Sequence, residues 1–502
     1  MCPTRRRHVP PETMIRHPVR RSGPNATILA GDVAEGFRAI VRPVLPWGAA
    51  LLLLIAAAIF QDSVSRALLL LGLGGVTLIG MAIWCERAGP CLPVMPIMLF
   101  TNLLVYGLPA LRFSLVELPD PFLELAIVPV ILWTLAMVLG WVLVPRSWFR
   151  QPFGTSMAES LQALIWLPHG LIAVALGLQW LIGTSFYWEA LGPLAKALLN
   201  VVNTVIALAI LPGGFIGSYR WARGQLREPP IYWTLVLLLL INYLLSFLLS
   251  SAQYLVLGVL LGLWIGRSRQ ALAITLSFVL VLSFLQPGKY IMRGKYWGTG
   301  VTPPSPPELL LEWIGVSYDQ LFSPQKSDAQ GLDRRVNNLA MVVYVNAQLQ
   351  NGTAPLNGAS YALIPQVLIP RVLNPDKVRS QEGQVLLNLY FGRQATREQT
   401  ETTYIAWGLL PESIGNFGPW FGPLIVGMLV GAAMRASELW GAGQDLLSKF
   451  GLEALVLMML WAGSYELVAS TFSAAAFQII LMIELLNWYL NQQRFTRQRP
   501  GL

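Results

Sequence analysis

The chain has 502 residues, 55% of them hydrophobic and only 12% charged, with a mean hydropathy of +0.55. A soluble globular protein carries roughly 25% charged residues, so this composition excludes one and calls for a bilayer. The formal charge of +9 is scattered between apolar runs instead of gathered in one basic domain, which points to lipid as the partner and away from nucleic acid.

The chain opens on a basic cytoplasmic arm, residues 1–43, containing Arg5, Arg6, Arg7, Arg16, Arg20 and Arg21. Because no apolar run begins before Val44, no cleavable signal peptide is expected. The arm is expected to be disordered and to lie against anionic headgroups. About twelve apolar runs follow, each read as a helix near the length of about 20 residues that spans hydrocarbon. They fall at 44–60, 67–85, 91–111, 123–144, 161–182, 191–211, 231–249, 252–265, 271–285, 417–434, 452–470 and 474–490. The expected fold class is therefore an all-α polytopic membrane protein with about 12 transmembrane helices, nine in 44–285 and three in 413–490, and a large, partly helical loop over 286–412.

Orientation follows from Lys and Arg in the short connections, which are retained on the cytoplasmic side. Arg87, Arg146, Arg150, Arg220, Arg223, Arg227, Arg267, Arg269, Arg435, Lys449 and the basic tail at 491–502 alternate with QDSVSR, the acidic stretch at Glu117 and Asp120, GTSFYWEA and the SSAQ turn. Both termini are thus expected in the cytoplasm and the large loop outside it.

That loop starts with PPSPP at 303–307 and is too long for a bare connector. Residues 332–349 read as a helix with Arg334, Arg335 and Asn338 near its start. The run IPRVLNPDK at 369–377 is bracketed by Pro370 and Pro375, so an ordered turn presenting Arg371 and Lys377 is expected there.

Walker A, HExxH, GxSxG and CxxC signatures are all missing. Cys2, Cys85 and Cys91 form no even framework and are read as reduced, and no metal or other cofactor is inferred. His8 and His17 lie in the arm, while His169 follows Pro168 inside an apolar run and reads as a polar residue held in the bundle. What remains is a cationic loop: Arg293, Lys295, Arg334, Arg335, Arg371, Lys377, Arg379, Arg393 and Arg397. A planar guanidinium grips phosphate oxygens in pairs and stays charged, so the cluster suits a diphosphate at the membrane surface. The bland alternative is pairing with Asp333, Asp376, Glu382, Glu398 and Glu401 as loop salt bridges.

The stretch GLLPESIGNFGPWFGPLIVG, 408–427, brings Glu412 and Asn416 to the mouth of the tenth run. A partly desolvated carboxylate there could accept a proton from a sugar hydroxyl, and its alternative role is to cap the following helix or pair with a loop arginine. Glu466 and Glu484, deeper in the last two runs, read as interhelical hydrogen-bond partners.

The order Arg335-Val-Asn-Asn-Leu, then Gly358 and Tyr361, then IPRVLNPDK, then Thr400, Thr402 and Thr403, then GLLPESIGNFG resembles the external loop of bacterial O-antigen and oligosaccharide repeat-unit polymerases, the Wzy-like proteins. The likeness covers about 100 residues of loop, and the helix count agrees along the chain. It implies an inner-membrane glycosyltransferase of the GT-C type whose donor and acceptor are both glycans on undecaprenyl diphosphate, with a chain-length regulator protein as partner. On this resemblance Arg335 and Arg371 would bind the donor diphosphate with help from Lys377, and Glu412 would orient or deprotonate the acceptor hydroxyl. Arg334, Asn338, Tyr361, Arg379 and Asn416 would complete the substrate site. One departure is the SSAQ turn, where an arginine is expected in many relatives. Three rivals stay open: an O-antigen ligase, which would lean on a loop histidine that this loop lacks; a transporter or flippase, which would line a midplane cavity with charge; and a non-catalytic assembly subunit.

Overall fold

The structure is a computed structural model that describes residues 28–110, 120–148, 157, 161, 166–183, 192–247, 249–296, 301–322, 338–369, 374, 377–402 and 405–497. In chain order the helices are α1 (Ala30–Phe60), α2 (Val64–Arg87), α3 (Val94–Asn102), α4 (Asp120–Leu143), α5 (Leu167–Gly183), α6 (Gly192–Ala222), α7 (Pro229–Leu245) and α8 (Leu249–Ile265). They continue with α9 (Ala271–Tyr296), α10 (Pro306–Phe322), α11 (Asn338–Gln350), α12 (Ile364–Leu368), α13 (Glu382–Tyr390), α14 (Arg397–Thr402), α15 (Leu409–Trp440), α16 (Lys449–Ala462) and α17 (Ala469–Arg497). Among the described residues extended backbone pairs at one isolated bridge, Leu29 with Asp445.

Among the described residues seven helices, α1, α2, α4, α6, α9, α15 and α17, are long and apolar enough to cross a membrane. Four further apolar stretches, 94–110, 167–181, 229–245 and 254–265, are shorter than that. The count of twelve runs and the seven long helices differ for local reasons. The run at 452–470 does not form one helix: α16 ends at Ala462, and Gly463 leads into a tight turn at Ser464–Glu466. Its 14 residues span roughly 21 Å at 1.5 Å per residue, short of the hydrocarbon thickness of about 30 Å. The run at 91–111 contains Pro93, Pro96 and Pro109, and after α3 it loosens into a wide turn at Leu103–Gly107 and a tight one at Leu108–Ala110.

Three boundaries move for packing reasons. Helix α1 begins at Ala30, inside the segment expected to be a disordered arm, because Ala30, Val33 and Ala34 are buried and the segment before them bonds to the 444–446 turn. The expected SSAQ turn instead opens α8, and the chain reverses just before it at Ser246 and Phe247, the latter at φ 53°. Helix α9 continues through Pro287 to Tyr296 instead of ending at 285; α10 braces it across the proline, with Trp313 donating to the Leu285 carbonyl at 2.9 Å.

The centre of the bundle is the close pair α4 and α15. A Cβ on Gly431 would stand 2.0 Å from the Met137 carbonyl oxygen, and one on Gly140 would stand 2.0 Å from that of Met428. Helices meeting at such small residues gain backbone-to-backbone packing that lipid cannot supply. Gly431→Ala is expected to destabilise the protein by about 1–3 kcal/mol, since backbone and not a flexible side chain must give way. Gly177→Ala, where nothing lies within 4 Å, is the control, and equal melting temperatures in detergent would contradict the packing.

At one end of the bundle the turns at 28–30, 88–91 and 441–446 gather, with Gly443 N–H donating to the Pro90 carbonyl and Ala30 N–H to that of Gln444, both at 2.9 Å. Beside them Glu438 is wholly buried and ties four helices together. One of its oxygens accepts from the Trp84 indole and the Met95 amide, each at 3.0 Å, and the other from the Trp141 indole at 2.8 Å and Arg435 at 3.2 Å. The guanidinium of Arg435 also lies over the Trp141 ring, 4.3 Å from its centre.

Candidate functional site

The opposite end of α15 carries the candidate site. The helix starts at Leu409 after Gly408, whose φ of 82° is open to glycine and costly for other residues, and breaks at Gly418, φ 81°, just before Pro419. A Cβ on Gly422 would stand 2.2 Å from the Ser413 carbonyl oxygen, so the short arm before Gly418 folds back against the long arm after it. Glu412 and Asn416 sit one helical turn apart on the short arm.

Both are wholly buried and share one hydrogen-bond network. One Glu412 carboxylate oxygen accepts from the Ser360 hydroxyl at 2.6 Å, and the other accepts from the Ala469 amide at 2.6 Å, at the start of α17. The Asn416 amide donates to the Ser360 hydroxyl and to the Glu412 carbonyl, each at 2.8 Å. Backbone bonds from Leu356 N–H to the Gly415 carbonyl and from Asn357 N–H to the Asn416 carbonyl, at 3.0 and 2.9 Å, seat the 356–361 segment on the same arm. Among the described residues Glu412 therefore caps the last helix and clamps the loop. In this geometry it presents no exposed oxygen to an acceptor hydroxyl.

Tyr361 completes the cluster. Its ring stacks on Phe417 with centroids 5.7 Å apart and planes 5° from parallel. Burial, reinforced by the charge of Glu412, holds its hydroxyl protonated well above the ordinary phenol range. That hydroxyl is buried without a hydrogen-bond partner among the described residues, so it is a donor in reserve. Asn338, at the first turn of α11, donates to the Tyr465 carbonyl in the turn before α17, and a Cβ on Gly408 would stand 2.9 Å from its amide nitrogen. The segment carrying Lys377 and Arg379 comes to the same place, since the next carbonyl, Ser380, accepts from Ser470 at 3.1 Å and Thr471 at 3.0 Å in the first turn of α17.

Five of the nine residues named from the sequence, Glu412, Asn416, Tyr361, Asn338 and Arg379, thus belong to the elements meeting at the starts of α15 and α17, and Lys377 lies two residues before Arg379. Arg334, Arg335 and Arg371 lie outside the described residues. The helix expected over 332–349 is described from Asn338 to Gln350, and of the turn expected at 369–377 only Ile369, Asn374 and Lys377 are described.

Four of the remaining loop cations have other work. Arg397 grips Glu382 with both nitrogens, at 2.8 and 2.7 Å, and Lys295 meets Glu312 at 2.5 Å. Arg293 donates to the Phe247 carbonyl at 2.6 Å, holding the left-handed turn before α8, and Arg393 lies over the Tyr344 ring at 5.2 Å. The salt-bridge alternative thus describes Arg397, paired with Glu382 as named from the sequence, while Lys295 pairs with Glu312, a partner not named there. Sequence reading missed Ser360 and the Ala469 amide. Ser360 stands between Gly358 and Tyr361 but belongs to no periodic pattern, and a backbone amide leaves no trace in a sequence.

His169 packs edge-on against Trp166 and Tyr232, with its Nε2 3.4 Å from the Glu228 carbonyl oxygen, as a polar residue held within the bundle. Cys85 and Cys91 are free and buried. Glu484 meets Lys449 at 2.5 Å between α16 and α17, the interhelical role expected of it. Among the described residues no group of three or more His, Cys, Asp or Glu gathers as a metal site.

No family model, no curated protein and no solved structure matches this chain. What the fold defines is a helical, membrane-embedded protein with several apolar spans.

Proposed function

We propose that this protein polymerises undecaprenyl-diphosphate-linked oligosaccharide repeat units into a cell-surface polysaccharide, at the periplasmic face of the bacterial inner membrane. The shorter apolar helices, and α16 together with the Ser464–Glu466 turn that prolongs it, make up with the seven long ones a set of about twelve crossings; both termini lie in the cytoplasm, and the 286–412 loop stands outside. The observation that carries the reading is the convergence at one bundle end of segments far apart in the chain, each holding a piece of the polymerase-like pattern: Asn338, Gly358 with Tyr361, Lys377 with Arg379, and Glu412 with Asn416.

In the reaction the bond between the donor sugar's anomeric carbon and the diphosphate oxygen breaks, an acceptor hydroxyl oxygen forms the new glycosidic bond, and the hydroxyl proton passes to the departing diphosphate. Arg335 and Arg371 bind the diphosphate and stabilise the negative charge it gains on leaving, with Lys377 assisting. Cations supply this stabilisation best when they are held in place before the step and need not reorganise during it. The Tyr361 hydroxyl, protonated and in reserve, donates to a phosphate or sugar oxygen. Glu412 acts first as a positioning residue, holding Ser360 and its loop against α17. Taking up the acceptor proton would require the Ser360 bond to open.

Removing either arginine tests the reading. Arg335→Ala and Arg371→Ala should each reduce glycan chain growth by about a hundredfold or more, the scale lost with one charge-stabilising donor, while the protein inserts at normal levels. Long chains at normal length in both variants would defeat the diphosphate clamp. A transporter reading predicts instead that reconstituted vesicles move lipid-linked sugar across the bilayer, and robust movement would favour it.

A further inference from the structure

A half-open cavity of about 350 Å³ lies between α4, α11 and the bend of α15, in the size range of small-molecule sites, about 300–1,000 Å³. Its polar lining is Glu124, Asn346 and Gln350, and Trp420 closes one side with 61% of its surface exposed. Asn346 is the telling residue. It is only 3% exposed, and its amide nitrogen donates to the Leu125 carbonyl at 2.7 Å, yet its amide oxygen is buried with no partner among the described residues. A buried acceptor left unsatisfied is costly, and a turn of the amide toward an O–H or N–H donor on a ligand in the cavity relieves that cost.

The lining fixes the chemistry of that ligand. Among the described residues it contains no Lys or Arg and does contain a carboxylate, which disfavours the diphosphate and any other anion. Two neutral amides and a carboxylate want several donors around one small body, and the exposed indole wants a flat apolar face. A lipid acyl chain has the second property without the first. A pyranose ring has both, hydroxyls on its rim and C–H groups on its face. Position agrees: Asn338 at one end of α11 touches the candidate site, and Asn346, eight residues on, lies roughly 12 Å further along the helix.

We propose that this cavity holds a sugar ring of the glycan, stacked on Trp420 and hydrogen-bonded to Asn346, Gln350 and Glu124. That the sugar belongs to a growing or incoming glycan rests on the polymerase reading; that the cavity takes a sugar does not.

The test uses the full chain in phosphatidylcholine nanodiscs, with saturation-transfer NMR against free tetrasaccharides of hexose, 6-deoxyhexose and N-acetylhexosamine. Transfer to at least one of them is expected, weakened tenfold or more in Trp420→Ala and in Gln350→Ala, two exposed positions where folding should survive, and retained in Trp420→Tyr. No transfer from any of the three, or equal transfer in wild type and Trp420→Ala, overturns the proposal. So does native mass spectrometry showing a phospholipid held by wild type and lost from Trp420→Ala, which would make the cavity a lipid site. The two readings separate cleanly. Sugar binding that needs Trp420 in a protein with no role in chain growth overturns the polymerase reading alone, and chain growth indifferent to Trp420→Ala overturns the assignment of the bound sugar to the growing or incoming glycan.

Discussion

Glu412→Gln is expected to keep most of the fold, whereas Glu412→Ala loses it. The alanine variant strips partners from two buried donors, the Ser360 hydroxyl and the Ala469 amide, at about 1–3 kcal/mol each. A glutamine can turn its carbonyl to Ala469 and its amide to the Ser360 oxygen, so its stability loss should be about 1–2 kcal/mol, one imperfect bond. Melting temperature and glycan chain growth, measured together, then tell two roles apart. A positioning role predicts that Glu412→Gln retains chain growth in proportion to its folded fraction. A general base predicts a fall of about 10²–10⁴-fold at nearly intact stability, because an amide cannot take up a proton. Melting of Glu412→Ala at the wild-type temperature would contradict the buried clamp itself.

Glu438→Ala should be among the most destabilising single changes at the other end of the molecule. It leaves Arg435 buried, 3% exposed, without its carboxylate, and orphans the Trp84 and Trp141 indoles and the Met95 amide. Breaking a buried ion pair by removing one partner costs about 3–5 kcal/mol, since the remaining charge cannot return to water. The double change Glu438→Leu with Arg435→Met removes both charges and should recover part of the loss, although the indoles stay unpaired. Detergent melting curves of the single and double variants check this. A double variant no more stable than Glu438→Ala would show that the tryptophan bonds, and not the charge pair, carry the tie.

Each of these predictions turns on a residue whose neighbourhood sequence reading could not see. Glu412 was visible as a carboxylate beside the apolar run at 417–434, although α15 itself begins eight residues before that run, at Leu409, and takes Glu412 into its first turn. Its partners were not, because Ser360 lies 52 positions away and Ala469 offers only backbone. Glu438, three positions after Arg435, belongs to no motif or spacing in the sequence that would single it out. The break at Gly418 was foreshadowed by Gly-Pro, but the folding back of the short arm, which buries Glu412, depends on the close approach of Gly422 to Ser413. Among the cations, composition found the cluster, while only contacts distinguish Arg397 and Lys295, engaged in salt bridges, from Lys377 and Arg379 on the segment that reaches α17.

That the chain is helical and lives in a membrane follows from its letters alone: few charges and long apolar runs leave the backbone no way to satisfy its polar groups in lipid except within helices. Helix number and ends do not follow, because buried small residues extended α1, bracing across Pro287 extended α9, and Gly463 cut the eleventh run short. Whether a polar residue is a clamp, a donor in reserve or a wall of a cavity depends on what the folded chain sets against it, and such long-range contacts are set by three-dimensional packing that no local pattern encodes.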